Sequence, residues 1–267
     1  MRQIFLAAVI ALVGALPALA QSDLVPLQTR QASTGWEAVG RLDIAGKGFC
    51  TAALIRERLI LTAAHCLYDH DGSLVTPDRF SFRAGLRDGR AMATRNVLRA
   101  VGHPGYTHRG DTTDAAAVAM DIAVLELDRP IREARLQPYP IADRPLAGDE
   151  VGVVSYGRGR EDAASLQEMC TVLGRQTGVI VLTCDVDFGS SGSPVFTMRD
   201  GEARIASVVS AMAQVDGQKV ALGTSLEGPL HVLLAHFGAA PPRLGGVQRV
   251  ITLGERNDIG AKFITVD

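Results

Sequence analysis

Leu59-Ile60-Leu61-Thr62-Ala63-Ala64-His65-Cys66 is a short apolar run that ends on a histidine and a cysteine. Its first four residues read as a β-strand. Comparable runs rich in Val, Ile and Leu recur at residues 52–55, 122–127, 151–155, 179–183 and 205–210, bounded by Gly, Pro, Asp and Asn. No long amphipathic helices alternate with them, which argues against a parallel α/β sheet. Many short strands with frequent turns point to antiparallel barrels or a sandwich. One late segment differs: Leu226, Leu230, Leu233, Leu234 and Phe237 recur at spacings of three and four. That apolar stripe predicts a helix packed against the outside of the second half.

The chain has 267 residues, 47% hydrophobic and 21% charged, enough for one large domain or two small ones. A net charge of −2 gives no reason to expect a nucleic-acid or polyanion partner. Arg2, the nearly continuous apolar run 4–16 and Ala18-Leu19-Ala20 before Gln21 form a secretory signal peptide, with the cut after Ala20. No later run approaches the roughly 18 apolar residues of a membrane span, so a soluble, secreted or periplasmic protein is expected. Residues 21–35 read as a propeptide or N-terminal arm. Arg129-Pro130, Gln137-Pro138 and Tyr139-Pro140 interrupt any strand and divide the body into residues 36–135 and 136–239. Residues 240–267, opening with Pro241-Pro242, look like an appended extension.

Four cysteines in an exported chain favour two disulfides. Of the three pairings open to Cys50, Cys66, Cys170 and Cys184, the local one joins Cys50 to Cys66 and Cys170 to Cys184, closing one loop in each half. No CxxC pair exists to begin a metal site.

Three segments carry chemistry. A serine hydroxyl is a poor nucleophile at neutral pH and needs a base for its proton and donors for the oxyanion it creates. Phe188-Gly189-Ser190-Ser191-Gly192-Ser193-Pro194 suits such a nucleophile. Glycines flanking Ser190-Ser191 permit a tight turn, and the amides of Gly189 and Ser191 could converge on one oxygen. His65 stands at a strand end beside a cysteine able to pin its loop, with an ordinary pKa near ~6.5 suited to accepting and returning a proton. Asp121 heads the apolar run 122–127, where a carboxylate needs a donor such as an imidazole N–H.

Thr62-Ala63-Ala64-His65-Cys66, Asp121-Ile122-Ala123-Val124-Leu125 and Gly189-Ser190-Ser191-Gly192-Ser193-Pro194 resemble, in order, the three catalytic segments of the chymotrypsin/trypsin family. His103-Pro104-Gly105-Tyr106 and Val154-Ser155-Tyr156-Gly157 resemble its minor motifs, and the Cys50, Cys66 spacing is similar to its bridge beside the histidine. The resemblance implies an all-β fold of two six-stranded antiparallel β-barrels with a C-terminal helix. His65 and Asp121 would come from the first barrel, Ser191 and its oxyanion hole from the second. It further implies a monomeric endopeptidase acting on protein or peptide substrates, with no cofactor and no metal.

The sequence departs from that family in places. Ser190 stands where animal trypsin-like enzymes have an aspartate, and no Ile-Val-Gly-Gly precedes Trp36, so activation through a buried terminal ion pair is not expected. The Gly-x-Ser-Gly-Ser-Pro form instead resembles bacterial exported, glutamyl-endopeptidase-like members. Asp185, six residues before Ser191, matches the base of the primary pocket, with Asp187 its competitor, and Gly223 matches a glycine that keeps the pocket wall open. Ser210 matches a serine that supports the triad acid, while Val209 replaces the histidine of the glutamyl branch. Asp69-His70-Asp71-Gly72-Ser73 lacks the further acids of a calcium loop and reads as a surface turn. Two other classes compete: an inactive homologue that binds peptides, and an esterase. The second is disfavoured because Ser193 stands where the Gly-x-Ser-x-Gly elbow needs glycine.

Overall fold

The computed structural model describes residues 22–110, 113–215 and 217–239. The expected signal peptide and C-terminal extension lie outside them. A two-residue strand, β1 (Val25–Pro26), precedes the first barrel, formed by β2 (Val39–Ile44), β3 (Gly48–Arg56), β4 (Leu59–Thr62), β5 (Phe80–Ala84), β6 (Ala93–Gly102) and β7 (Ala123–Leu127). Its strands close in the order β2-β3-β4-β7-β6-β5, all antiparallel. Period-two patterning drives the closure. In β5, Phe80, Phe82 and Ala84 point inward while Ser81 and Arg83 face outward.

The second half comprises β8 (Glu150–Gly157), β9 (Arg160–Gln176), β10 (Val179–Leu182), β11 (Pro194–Arg199), β12 (Glu202–Val215) and β13 (Gln218–Ser225). Antiparallel pairings run from β8 through β9, β10, β13, β12 and β11 back to β8, completing a second ring. The arm that carries β1 pairs along β9, Val25 opposite Leu166 and Pro26 opposite Ser165. The two-barrel, all-β architecture implied by the resemblance is the one observed.

The barrels share a continuous apolar seam. Trp36 and Tyr139 meet the Phe196 ring edge-on at 5.1 and 4.8 Å. Tyr156 is buried between the halves and donates its hydroxyl to Leu86 O at 2.9 Å. A one-turn helix, α1 (Ala115–Val118), precedes β7, and α2 (Pro229–Ala239) ends the described chain.

The sequence expectation for α2 needs correction. The helix forms, but it crosses back onto β6 and β7 of the first barrel instead of the second half. Leu226, Leu230, Leu233 and Phe237 join the core cluster that holds the first-barrel strands. Arg99 of β6 fastens the end: its guanidinium lies 3.7 Å from the Phe237 ring centroid and donates to Phe237 O at 3.0 Å. Fully burying one such leucine contributes about 1.5–3 kcal/mol, so the stripe goes wherever an apolar surface is left uncovered. Periodicity reveals that a stripe exists, not which surface it covers.

Candidate active site

β4 and β7 are antiparallel neighbours, with Thr62 opposite Ala123. The end of β4 and the start of β7 therefore lie at the same rim, which brings together two residues 56 positions apart. His65 sits in the tight turn Ala64–Leu67 that follows β4, and Asp121 stands two residues before β7. His65 Nδ1 lies 2.7 Å from Asp121 Oδ2, and the His65 amide donates to Asp121 Oδ1 at 2.8 Å. An ionised carboxylate only accepts, so Nδ1 is the donor of this pair and Nε2 is the ring nitrogen left for the cleft. Ser210 Oγ donates to Asp121 Oδ2 at 2.5 Å.

Asp121 is 3% exposed. Burial pushes its carboxyl up, but the charge of His65 and the hydrogen bonds from His65 and Ser210 outweigh it, leaving the group below the ordinary aspartate value. The His65 turn is held from outside as well. Lys47 Nζ donates to His65 O at 3.3 Å and also to Tyr68 O, and Cys66 is bridged to Cys50. The second bridge joins Cys170 to Cys184, so the local pairing is the observed one. Cys50, Cys66 and His65 cluster closely, yet both sulfurs are consumed by the disulfide and offer no metal ligand.

Ser191 lines the opposite wall of the same cleft, whose volume is about 690 Å³. Among the described residues no hydrogen bond joins Ser191 Oγ to His65; such contacts commonly tighten only when substrate is bound. The turn around Ser191 is fixed through its backbone. Ser190 N donates to Asp187 O, Gly192 N to Val209 O and Ser193 N to Ser190 O. The amides of Asp187 and Phe188 are taken by Ser190 Oγ and Asp187 Oδ1. Through residues 187–193, the amides without an acceptor among the described residues are those of Gly189 and Ser191. These are the two donors the sequence nominated for an oxyanion.

Both glycines of the turn are required. Gly189 has φ +93°, and a Cβ there would lie 2.3 Å from Phe49 Cε2. Gly192 has φ +79°, and its Cβ would meet Thr62 Oγ1 at 2.0 Å and Thr51 O at 2.3 Å.

Thr51 was missed by sequence reasoning and ties the two barrels at the site. Its amide donates to Ser191 O at 2.8 Å and its hydroxyl to Gly189 O at 2.9 Å, while the hydroxyl accepts from Tyr156 N at 3.1 Å. The available signal was a lone hydroxyl directly after Cys50 within an otherwise apolar stretch.

Two residues matched to the pocket, Asp185 and Gly223, are not among those that line the cleft. The Asp185 side chain is 53% exposed and accepts from Lys219 Nζ at 3.0 Å, while its amide donates to Gln167 Oε1 at 2.7 Å. A carboxylate free to reach water and an ammonium gains nothing by turning into a partly apolar cleft. Gly223 is likewise absent from the lining: it sits in β13 between Ile180 and Val209, where a Cβ would meet Ser207 Oγ at 2.3 Å. The cleft beside Ser191 is instead walled by Val186, Asp187, Val209, Ala211 and Met212, with Tyr68 stacked on His108 at 4.6 Å farther along. Asp69, in the expected surface turn, is engaged by Arg79 Nη1 at 2.7 Å.

The Trypsin-like peptidase domain family profile matches residues 46–204. Among curated relatives, Serine protease filzig of Drosophila melanogaster is 33% identical over 133 residues, covering 46% of this chain and 7% of that protein. Transmembrane protease serine 7 of Homo sapiens is 28% identical over 128 residues, covering 48% of this chain and 15% of that protein. The chain thus spans only a small part of the length of these relatives. A solved structure of a Glu endopeptidase in complex with MPD superposes with a TM-score of 0.66 at 19% identity, covering 82% of this chain and 98% of that one. At that identity the likeness speaks for the fold alone.

Proposed function

Because the chain belongs to the trypsin-like peptidase family, we propose that it is a serine endopeptidase whose catalytic triad is His65, Asp121 and Ser191. The observation that carries this reading is the His65 Nδ1–Asp121 Oδ2 pair at 2.7 Å, facing Ser191 across one cleft. Ser191 Oγ attacks the substrate carbonyl carbon as His65 Nε2 takes its proton. Asp121 holds the ring in the productive tautomer and stabilises the imidazolium. The Gly189 and Ser191 amides receive the oxyanion. When the intermediate collapses, His65 returns the proton to the leaving amine and an acyl group stays on Ser191. Water, deprotonated by His65, then attacks the ester; His65 returns that proton to Ser191 Oγ as the ester bond breaks, releasing the acid product and the free hydroxyl. These steps use only the chain's own groups and water.

Export to an oxidising compartment, outside the cell or in the periplasm, is part of the proposal and is supported by the two disulfides. The substrate is a protein or peptide, and the enzyme acts as a monomer. The decisive experiment treats the purified protein and Ser191→Ala with a fluorophosphonate probe. Labelling of the wild type alone is expected; an unlabelled wild type, or equal labelling of both, overturns the assignment.

A further inference from the structure

Ser190, immediately before the proposed nucleophile, is fully buried. Its hydroxyl uses its whole bonding capacity: it donates to Tyr156 O at 3.2 Å and accepts from Arg160 Nη2 at 3.1 Å and Asp187 N at 3.3 Å. Arg160 opens β9, at the foot of the hairpin that leaves β8, and its other arm donates to Ser155 O at 2.7 Å. The guanidinium thus joins the backbone of β8 to the turn that carries Ser191. Room for it is made by Gly157, where a Cβ would lie 2.7 Å from Arg160 Nη2.

Arg160 belongs to none of the ion pairs among the described residues, and both of these hydrogen bonds go to neutral oxygens. Burial costs this guanidinium hydration while the carboxylates of Asp185, Asp187 and Glu161 favour its charge from a distance, and what the hydrogen bonds themselves use is its rigid fork. What the fork reaches is the residue flanked by Gly189 and Ser191, whose amides are the free donors of the turn. A hydroxyl held from three directions fixes the peptide planes on either side of it.

We propose that Arg160 is a positioning residue of the active site, holding the Ser190 hydroxyl so that the Gly189 and Ser191 amides stay aimed at one point. The inference rests on the peptidase reading above. Arg160 does the tethering from within the body of the second barrel, so the oxyanion site is assembled without an acid at position 190. Ser190 and Arg160 form one unit, and losing either partner frees the same turn.

The test compares wild type, Arg160→Met, Arg160→Lys, Ser190→Ala and the Arg160→Met/Ser190→Ala double variant. Three quantities are measured: the fluorophosphonate labelling rate, kcat and KM on fluorescein-labelled casein, and Tm. A misaimed oxyanion site costs about 100-fold, so Arg160→Met should lose about that much in labelling rate and kcat, with KM within about twofold. Ser190→Ala should lose in the same direction, the double variant should be no worse than the poorer single, and Arg160→Lys should recover part of the rate. Labelling of Arg160→Met within about threefold of wild type overturns the inference, as do losses that multiply in the double variant or that merely track the unfolded fraction. If Arg160→Met does not fold, Ser190→Ala decides alone by the same criterion. A wild type that is neither labelled nor active sinks the peptidase reading and this inference with it. Active wild type with unaffected variants sinks only the inference.

Discussion

The two walls of the cleft are built on different principles. The first-barrel wall presents groups tied to one another: Asp121 receives the His65 ring and the His65 amide, the pairing of β4 with β7 sets the separation, and the Ser210 hydroxyl reaches the same carboxylate from β12 of the second barrel. The second-barrel wall presents a loop whose backbone does the work, with Ser191 on a turn threaded between Gly189 and Gly192 and pinned across the seam by Thr51. Errors on the two walls should therefore differ in kind. The first loses function when a bond partner is removed, the second when volume is added or an anchor is cut.

The largest effect on the first wall is expected from Asp121→Asn. An amide beside Nδ1 can donate and so favours the wrong tautomer, and kcat should fall by about 10⁴ with little change in KM. A loss under tenfold would mean that the bond network does not act through the tautomer. The same variant separates chemistry from stability. The unfolded chain binds a proton at Asp121 near pH ~3.9, whereas the folded chain resists until lower pH. The contribution of Asp121 to stability is thus complete above that value and lost as pH falls through the folded pKa. Wild-type Tm should consequently drop more steeply than that of Asp121→Asn below about pH 4; parallel slopes would contradict the depressed value.

On the second wall, Gly192→Ala adds one methyl group and nothing else. With a positive φ and a clash against Thr51 O, it should cost about 2–4 kcal/mol in a denaturant titration and at least about 100-fold in kcat/KM. A variant as stable and active as wild type would show that the turn yields easily, and the contrast between the walls would collapse.

The two disulfides sharpen the contrast further. They close loops of similar length, with separations of 16 and 14 residues, so removing either by paired Cys→Ser changes should cost about 3 kcal/mol. Activity should respond unequally. Loss of the Cys170–Cys184 bridge frees the start of the loop that leads to Ser191 and should lower kcat/KM more than loss of Cys50–Cys66, where the histidine keeps its bonds to Asp121. The reverse order would break the comparison. The smallest effect is expected from Ser210→Ala, which removes one of three hydrogen bonds to the Asp121 carboxylate and should lower kcat about tenfold.

How much of the molecule is legible in its sequence follows the same division. The segments around His65, Asp121 and Ser191 can be read because each is a short local pattern: a strand end with a histidine, an acid before an apolar strand, a serine among glycines. The local disulfide pairing is legible because the spacing is short. The setting of Asp185 is not legible because its sequence distance from Ser191 fixes its position along the loop but not the direction of its side chain, which meets Lys219, 34 residues away. The role of Gly223 is not legible because a glycine looks the same in sequence whether the space beside it holds a ligand or, as here, the hydroxyl of Ser207.

The sequence by itself determined that this chain is built mainly of β-strands, which of its residues could perform acyl transfer, and that no acid stands at position 190 to meet a terminal ammonium. It did not show that two strands, β9 and β12, run to 17 and 14 residues. Strand patterning, turn residues and side-chain chemistry are local properties, and local properties survive in a linear string. Only the tertiary structure decided that α2 returns to the first barrel, that Thr51 and Arg160 hold the turn bearing Ser191, and that the charge expected in the pocket faces water. Each of those outcomes depends on which distant surface, donor or ion lies within a few ångströms, a relation that exists only once the two barrels have closed and met.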